Sequence, residues 1–164
     1  MGAKNQKAGQ PKSTHEVLTA QGFAPEQALM PRKTVSTAEK GVKYTLEDLA
    51  DRNTVVYQVD GSIITDGNKC DKLVLVELKA GEEWAEIFVE LKGTDVKHAL
   101  EQIKATVGKQ IFQHASNKDI RARIVAKSFP SSKSSPEVEK ARKELKSKHN
   151  CELKTIKNGQ KDRL

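Results

Sequence analysis

The residues best placed to do chemistry are Asp71, Glu90 and Lys92. Asp71 opens the apolar run Lys72–Leu78 (KLVLVEL), and Glu90 and Lys92 close the run Glu86–Lys92 (EIFVELK). Ala80-Gly81-Glu82-Glu83 lies between the runs as a turn, so the two read as an antiparallel hairpin. With the turn near Gly81, residues whose numbers sum to about 162 face each other. That register sets Asp71 opposite Leu91, flanked by Glu90 and Lys92. Two carboxylates at such a separation can hold Mg²⁺, which takes oxygen ligands and keeps several waters. A lysine two residues along points to the same side of the strand. There it can position or deprotonate a metal-bound water and offset charge on a scissile phosphate. A purely structural hairpin has no need of that trio. The plainer alternative is a solvated strand face shared by Phe88, Glu90 and Lys92.

The elements around the hairpin must hold it. Ser13 is expected to cap a short helix over His15–Ala20 that Gly22 ends. Thr45 and Asp48 resemble a capping arrangement for a second short helix, Leu46–Arg52, with Leu46, Leu49 and Ala50 inward. Thr54–Val59 is β-branched and aromatic, a strand that Ser62–Thr65 continues after Asp60-Gly61, and Asp66-Gly67-Asn68 is a turn. Lys72–Leu78 has the near-continuous apolar pattern of a strand buried on both faces. After Gly93 the period changes: Thr94 is expected to cap a helix with Val96, Ala99, Leu100, Ile103 and Val107 as its apolar stripe. Arg121–Lys127 is a further strand. Ser131–Ser135 reads as a linker, Pro136 starts the charged helix Glu137–Lys148, and Cys151–Ile156 is a last short strand. The order is helix, three antiparallel strands, helix, strand, helix, strand. It predicts an α/β (α+β) fold, a mixed sheet flanked by helices.

The chain has 164 residues, enough for one domain with its own core. The expected organisation is a basic disordered tail over 1–12, one domain over 13–157, and a second tail over 158–164. The formal net charge is +7, unevenly spread. Residues 1–33 carry five basic groups against two acidic; 34–109 carry ten against fourteen; 110–164 carry fourteen against six. Basic flanks suit a phosphate backbone, and an acidic centre suits a divalent cation. The helix Glu137–Lys148 contributes Lys140, Arg142, Lys143 and Lys146 as candidate phosphate contacts. Cys70 and Cys151 stand outside any CxxC pattern, and the four histidines lack ligand spacing, so two reduced, buried thiols and no structural zinc are expected. No run approaches a membrane span and no signal-peptide core precedes the domain, which points to a soluble, cytoplasmic protein.

Asp71, eighteen residues, then Glu90-Leu91-Lys92 closing a strand that leads into a helix resembles the PD-(D/E)xK nuclease superfamily. The likeness covers roughly residues 45–127. It implies a restriction-endonuclease-like fold, the fold that also serves Holliday-junction resolvases. It also implies that Asp71 and Glu90, with the Leu91 backbone carbonyl, bind Mg²⁺ or Mn²⁺ and that Lys92 acts on the attacking water. Some members place a glutamine on the following helix, where Gln102 stands. Others take an acid from the helix before the sheet, for which Glu47 is the nearest candidate and Glu39 a poorer one. Cys70 stands where the family's proline would precede the aspartate. Glu77-Leu78-Lys79 with Asp60 echoes the motif, but Lys79 runs into a turn and not into a helix. The expectation is an Mg²⁺-dependent endonuclease acting on DNA, with RNA as a second possible substrate and a homodimer as a possible assembly. The competing expectations are a non-catalytic nucleic-acid-binding protein on the same fold and a protein-interaction module of the inhibitor or immunity type.

Overall fold

The fold is taken from a computed structural model, which describes residues 9–92, with Lys92 by its backbone alone, and residues 95–128 and 135–164. It is an α+β fold in three layers. The central layer is a six-stranded mixed sheet built from β1 (Gln27–Arg32), β4 (Arg52–Gln58), β5 (Lys72–Lys79), β6 (Glu83–Lys92), β7 (Asn117–Ala126) and β8 (Cys151–Lys157), in that spatial order. From β1 to β6 the neighbours are antiparallel; β6, β7 and β8 run parallel. Parallel neighbours need crossovers, and the helices α2 (Val96–Val107) and α3 (Pro136–His149) supply them. A short helix, α1 (Thr14–Ala20), precedes the sheet, with Ser13 as its cap accepting the Glu16 N–H at 3.1 Å. A second sheet, of β2 (Val35–Glu39), β3 (Val42–Glu47) and β9 (Asp162–Arg163), forms the third layer.

Strand alternation sorts the core into two halves. Leu73, Leu75, Phe88, Ala122 and Ile124 face the helices and meet Ala99, Leu100, Ile103 and Val107, the expected stripe of α2. Val74, Val76, Ile87, Val89, Leu91 and Val125 face the other way, onto Val35, Val42, Tyr44 and Leu46 of the small sheet. Because β5 and β6 are covered on both faces, apolar residues occupy nearly every position of β5, as its sequence implies.

Several local expectations are corrected. Leu46–Arg52 is not a helix: Val42, Tyr44 and Leu46 are buried and alternate with more exposed residues along β3, and β2 and β3 pair across Lys40-Gly41. Both turn residues have positive φ, +50° and +78°, the conformation of the two-residue hairpin turn that matches strand twist. The stretch after Leu46 is an irregular loop with Asp48, Ala50 and Asp51 all at positive φ. Ser62–Thr65 is a turn with one isolated bridge, Asp60 to Ile64, because Gly61 at φ +76° bends the chain there. Asn158–Leu164, expected as a tail, folds back as β9 beside β3, where Leu46 pairs with Asp162. Residues 1–8, Thr94 and the linker positions 131–134 lie outside the described residues. The cap of α2 is Asp95, whose carboxylate accepts the His98 N–H at 3.0 Å. Among the described residues no helix is long and apolar enough to cross a membrane.

Candidate active site

The hairpin register fixes the site. Pairs from Lys72–Val89 through Glu77–Trp84 hold one register, and an irregularity between Glu77 and Lys79 shifts it by one residue. Asp71 lies just before the first pair, Lys72–Val89, and its own N–H also reaches Val89, so the register shifts again there and Asp71 is not set opposite the Leu91 expected by counting from the turn. The backbone of Asp71 is held on three sides. Its N–H donates to the Val89 carbonyl at 3.1 Å, and its carbonyl accepts the Val59 N–H at 2.9 Å. The N–H of Cys70, just before it, donates to the Thr106 hydroxyl of α2 at 2.7 Å. The Asp71 carboxylate in turn accepts the Leu91 N–H at 2.7 Å. This bond ties the end of β6, one residue after Glu90, to the residue just before β5. Asp71 is 7 % exposed and Glu90 fully buried.

Glu39, at the end of β2 next to the tight turn, is the further acid that reaches this group. Burial and then the neighbouring Asp71 carboxylate raise it above the usual carboxylate range, while Lys72 acts to lower it. The ammonium of Lys72 is itself buried and is bound by the Glu26 carboxylate and the Gln58 amide oxygen. Glu47 is not brought to the site. It lies at the far end of β3, five residues beyond the partner of Glu39 and about 16 Å along the strand, where Arg163 at 3.2 Å and Lys161 at 3.8 Å pair with it. The acid was sought on a helix before the sheet; the chain builds a hairpin there, and its turn end faces the site. Glu39 reaches the site because the β2–β3 hairpin, absent from the sequence expectation, carries it there. Thr106 was missed because it sits among the apolar positions of α2 with no pattern to mark it.

Gln102 lies one turn before Thr106 on the same helix face, so both turn toward the sheet. It is 9 % exposed, and its amide oxygen is buried without a hydrogen-bond partner among the described residues. An orphaned buried acceptor costs on the order of 1–3 kcal/mol, a cost that a ligand or water donating to it would relieve. Lys92 closes β6, paired with Ala126 of β7, and its side chain lies outside the described residues. The rival pair Glu77 and Lys79 occupies the opposite end of β5: Glu77 accepts from Asn53 at 3.4 Å and Lys79 pairs with Glu82 at 2.8 Å.

Among the described residues no three His, Cys, Asp or Glu side chains converge as a ready cage. The donors at Asp71 and Glu90 are carboxylate oxygens on adjacent strands. Such a set fits Mg²⁺ or Mn²⁺, which a protein holds through one or two carboxylates with water filling the rest. It lacks the nitrogen and sulfur ligands of a structural zinc centre. Both cysteines are free and buried; burial raises the Cys70 thiol strongly and pushes Cys151 up to about 12, so neither is poised as a nucleophile.

The four candidate phosphate contacts lie on α3, in the helix layer. Lys140, Lys143 and Lys146 are exposed. Arg142 is committed within the fold, to the Glu139 carboxylate and the Leu153 carbonyl. No protein-family model matches the chain, and no curated protein or solved structure matches it either.

Proposed function

We propose that this protein is a metal-dependent endonuclease that hydrolyses DNA phosphodiester bonds at Asp71, Glu90 and Lys92. The observation that carries the reading is the hydrogen bond from the Leu91 N–H to the Asp71 carboxylate. It ties the buried Asp71 carboxylate to the backbone one residue after the buried Glu90, at the end of a sheet, directly before the chain enters a helix. Buried carboxylates gathered in one region suit a site that receives a cation. Asp71 and Glu90 would hold Mg²⁺ or Mn²⁺, together with the Leu91 carbonyl, and the ion when bound supplies Lewis-acid chemistry at the phosphodiester. Glu39 adds negative charge beside Asp71. Lys92, two positions after Glu90 on the same strand, takes the role of orienting the attacking water and offsetting charge on the phosphate. Gln102 presents a buried acceptor from α2. Lys140, Lys143 and Lys146 extend the contact along the nucleic-acid backbone, outside the cleaved bond. So small a domain leaves little surface for reading base sequence, which favours selection by nucleic-acid structure.

The test is cleavage of supercoiled, linear, branched and single-stranded DNA, with an RNA of matched sequence. Each substrate is run with Mg²⁺, Mn²⁺ and EDTA, using the wild type, Glu90→Ala and Lys92→Ala. Cutting that needs the metal and disappears in both variants supports the reading. No cutting on any substrate, with salt-sensitive DNA binding retained in all three proteins, replaces it with a non-catalytic binding module.

A further inference from the structure

Glu86 and Glu90 lie on the same face of β6, four residues and about 13 Å apart. Phe88 stands between them, packed edge-on against Phe112 at 5.5 Å between ring centroids. On the Glu86 side of this pair is a cavity of about 490 Å³, bounded by the ends of α2 and α3 and by the loop before β7. That volume lies in the usual range for small-molecule sites.

The cavity is unlike a gap in packing. Val107, Phe112 and Ile120 give it apolar walls, Lys146 and Lys148 supply cationic groups from the last turn of α3, and His149 adds an imidazole. Glu86 is the one acid that lines it among the described residues, and it is 2 % exposed. Burial raises that carboxyl well above its usual range, against the hydrogen bond from Thr14, and so holds it toward its neutral form. Beside it, the Asn117 amide nitrogen donates to the Thr14 hydroxyl at 2.9 Å, to the Glu86 carboxyl at 3.1 Å and to the Phe112 carbonyl at 3.2 Å. These three acceptors fix which way the amide points. Its oxygen is then left buried without a donor among the described residues. His114 is already engaged, by Ser116 at 2.8 Å and the Pro11 carbonyl at 3.0 Å.

A ligand for such a pocket needs a flat apolar body, an N–H on its edge and an anionic group at the other end. Every nucleobase carries such an N–H, and a phosphate supplies the charge. We propose that this cavity is a nucleotide-binding pocket, with the base against Val107 and Phe112, its edge at Asn117 and Glu86, and its phosphate at Lys146, Lys148 and His149. The nucleotide is either free or the terminal residue of a strand; the recognising chemistry is the same. The pocket lies beyond the carboxylate site and does not rest on the nuclease reading.

The test is calorimetric titration of the full chain with the four ribonucleoside monophosphates, the matching nucleosides, inorganic phosphate and a short 5′-phosphorylated oligonucleotide. The variants are Asn117→Ala and the doubly substituted Lys146→Ala/Lys148→Ala. Asn117 braces Thr14 and Phe112, so its removal can perturb folding; the two exposed lysines can be removed without that risk. At least one monophosphate is expected to bind, and the lysine variant to weaken it about tenfold or more while leaving the weaker nucleoside binding unchanged. Tighter binding of the oligonucleotide than of any monophosphate, lost in the same variant, assigns the pocket to a strand terminus; the reverse order assigns it to a free nucleotide. Glu90→Ala is expected to bind as the wild type does, so a failure of the nuclease reading leaves this result standing. The proposal is overturned if neither ligand form binds at millimolar concentration, if binding survives the lysine change undiminished, or if inorganic phosphate binds as tightly as the nucleotides.

Discussion

Two of the regions where the fold buries ionisable groups treat them in opposite ways. Beneath the small sheet, Arg123 is 1 % exposed and every contact it makes is complementary. Its guanidinium donates to the Asp162 carboxylate at 2.8 Å, to the Glu152 carbonyl at 2.8 Å and to the Glu152 carboxylate at 3.1 Å. Asp162 also accepts the Tyr44 hydroxyl at 2.6 Å. Burial acts to raise Asp162, yet the Tyr44 hydroxyl and the Arg123 guanidinium outweigh it and hold the carboxyl below its usual range. At the end of β6 the arrangement reverses: acid stands beside acid, and burial together with Asp71 raises Glu39. A group that is buried and matched serves the fold. A group that is buried beside its own kind is pushed instead toward its neutral form, as Glu39 is.

Mutation can break this contrast. The largest effect is expected at Arg123. Arg123→Met leaves Asp162 buried without its cation and should destabilise the protein by about 3–5 kcal/mol, read from denaturant titration. A loss below 1 kcal/mol would mean that the pair is not structural. Next come Glu90→Gln and Asp71→Asn, which should lower cleavage about 10²–10³-fold while the thermal midpoint stays level or rises. A midpoint that falls as far as that of Arg123→Met would place both clusters in the same structural class. A third change sharpens the comparison at the other end of β6. Because the folded-state pKa of Glu86 is raised, its contribution to stability is complete below the unfolded value near 4.5 and is lost as pH rises through the folded value. Glu86→Gln stays neutral throughout. It should match the wild type near pH 4 and melt about 2–4 °C higher at pH 8 for each kcal/mol recovered; an advantage at pH 4 that vanishes at pH 8 would reverse the sign. The smallest effect is expected on the α3 surface. Lys140→Ala/Lys143→Ala should reduce the slope of log affinity for duplex DNA against log salt by about 1.8 and leave the thermal midpoint unchanged.

The two regions also differ in how far they could be read from the chain. The β5–β6 hairpin and the α2 stripe were legible because their patterns are local: an apolar run, a turn, then a change of period. The register was misjudged by one residue for a physical reason. Counting from the turn holds at Lys79 and Glu83, but the irregularity beyond them shifts every later pair by one, and a second shift before Lys72 brings the Asp71 N–H to Val89. The small sheet was not recognised, although Val42, Tyr44 and Leu46 alternate on either side of polar residues and Lys40-Gly41 is a hairpin turn. Thr45 and Asp48 imitate a helix cap, and the two patterns compete over the same few residues. Misplacing that hairpin is what put Glu47 ahead of Glu39. The Arg123 cluster had no sequence signature at all, because its members come from β3, β7, β8 and β9 and meet only through tertiary structure.

The parallel pairing of β9 with β3 has a kinetic consequence. Tyr44 and Asp162 are 118 residues apart in sequence, and the Leu164 N–H reaches back to the Glu47 carbonyl at 3.2 Å. Contacts of such long separation are slow to form because the closure entropy comes due before the contacts can repay it. The hairpin β2–β3 and the antiparallel strands are therefore expected to form early, and β9 to dock last. Until it docks, Arg123 keeps Glu152 of β8 but lacks Asp162, and the Tyr44 hydroxyl lacks its acceptor. The final stitch of the small sheet and the arrival of the buried partner of Arg123 are thus a single event, and a chain interrupted before that event leaves its core cation to the half-exposed Glu152 alone.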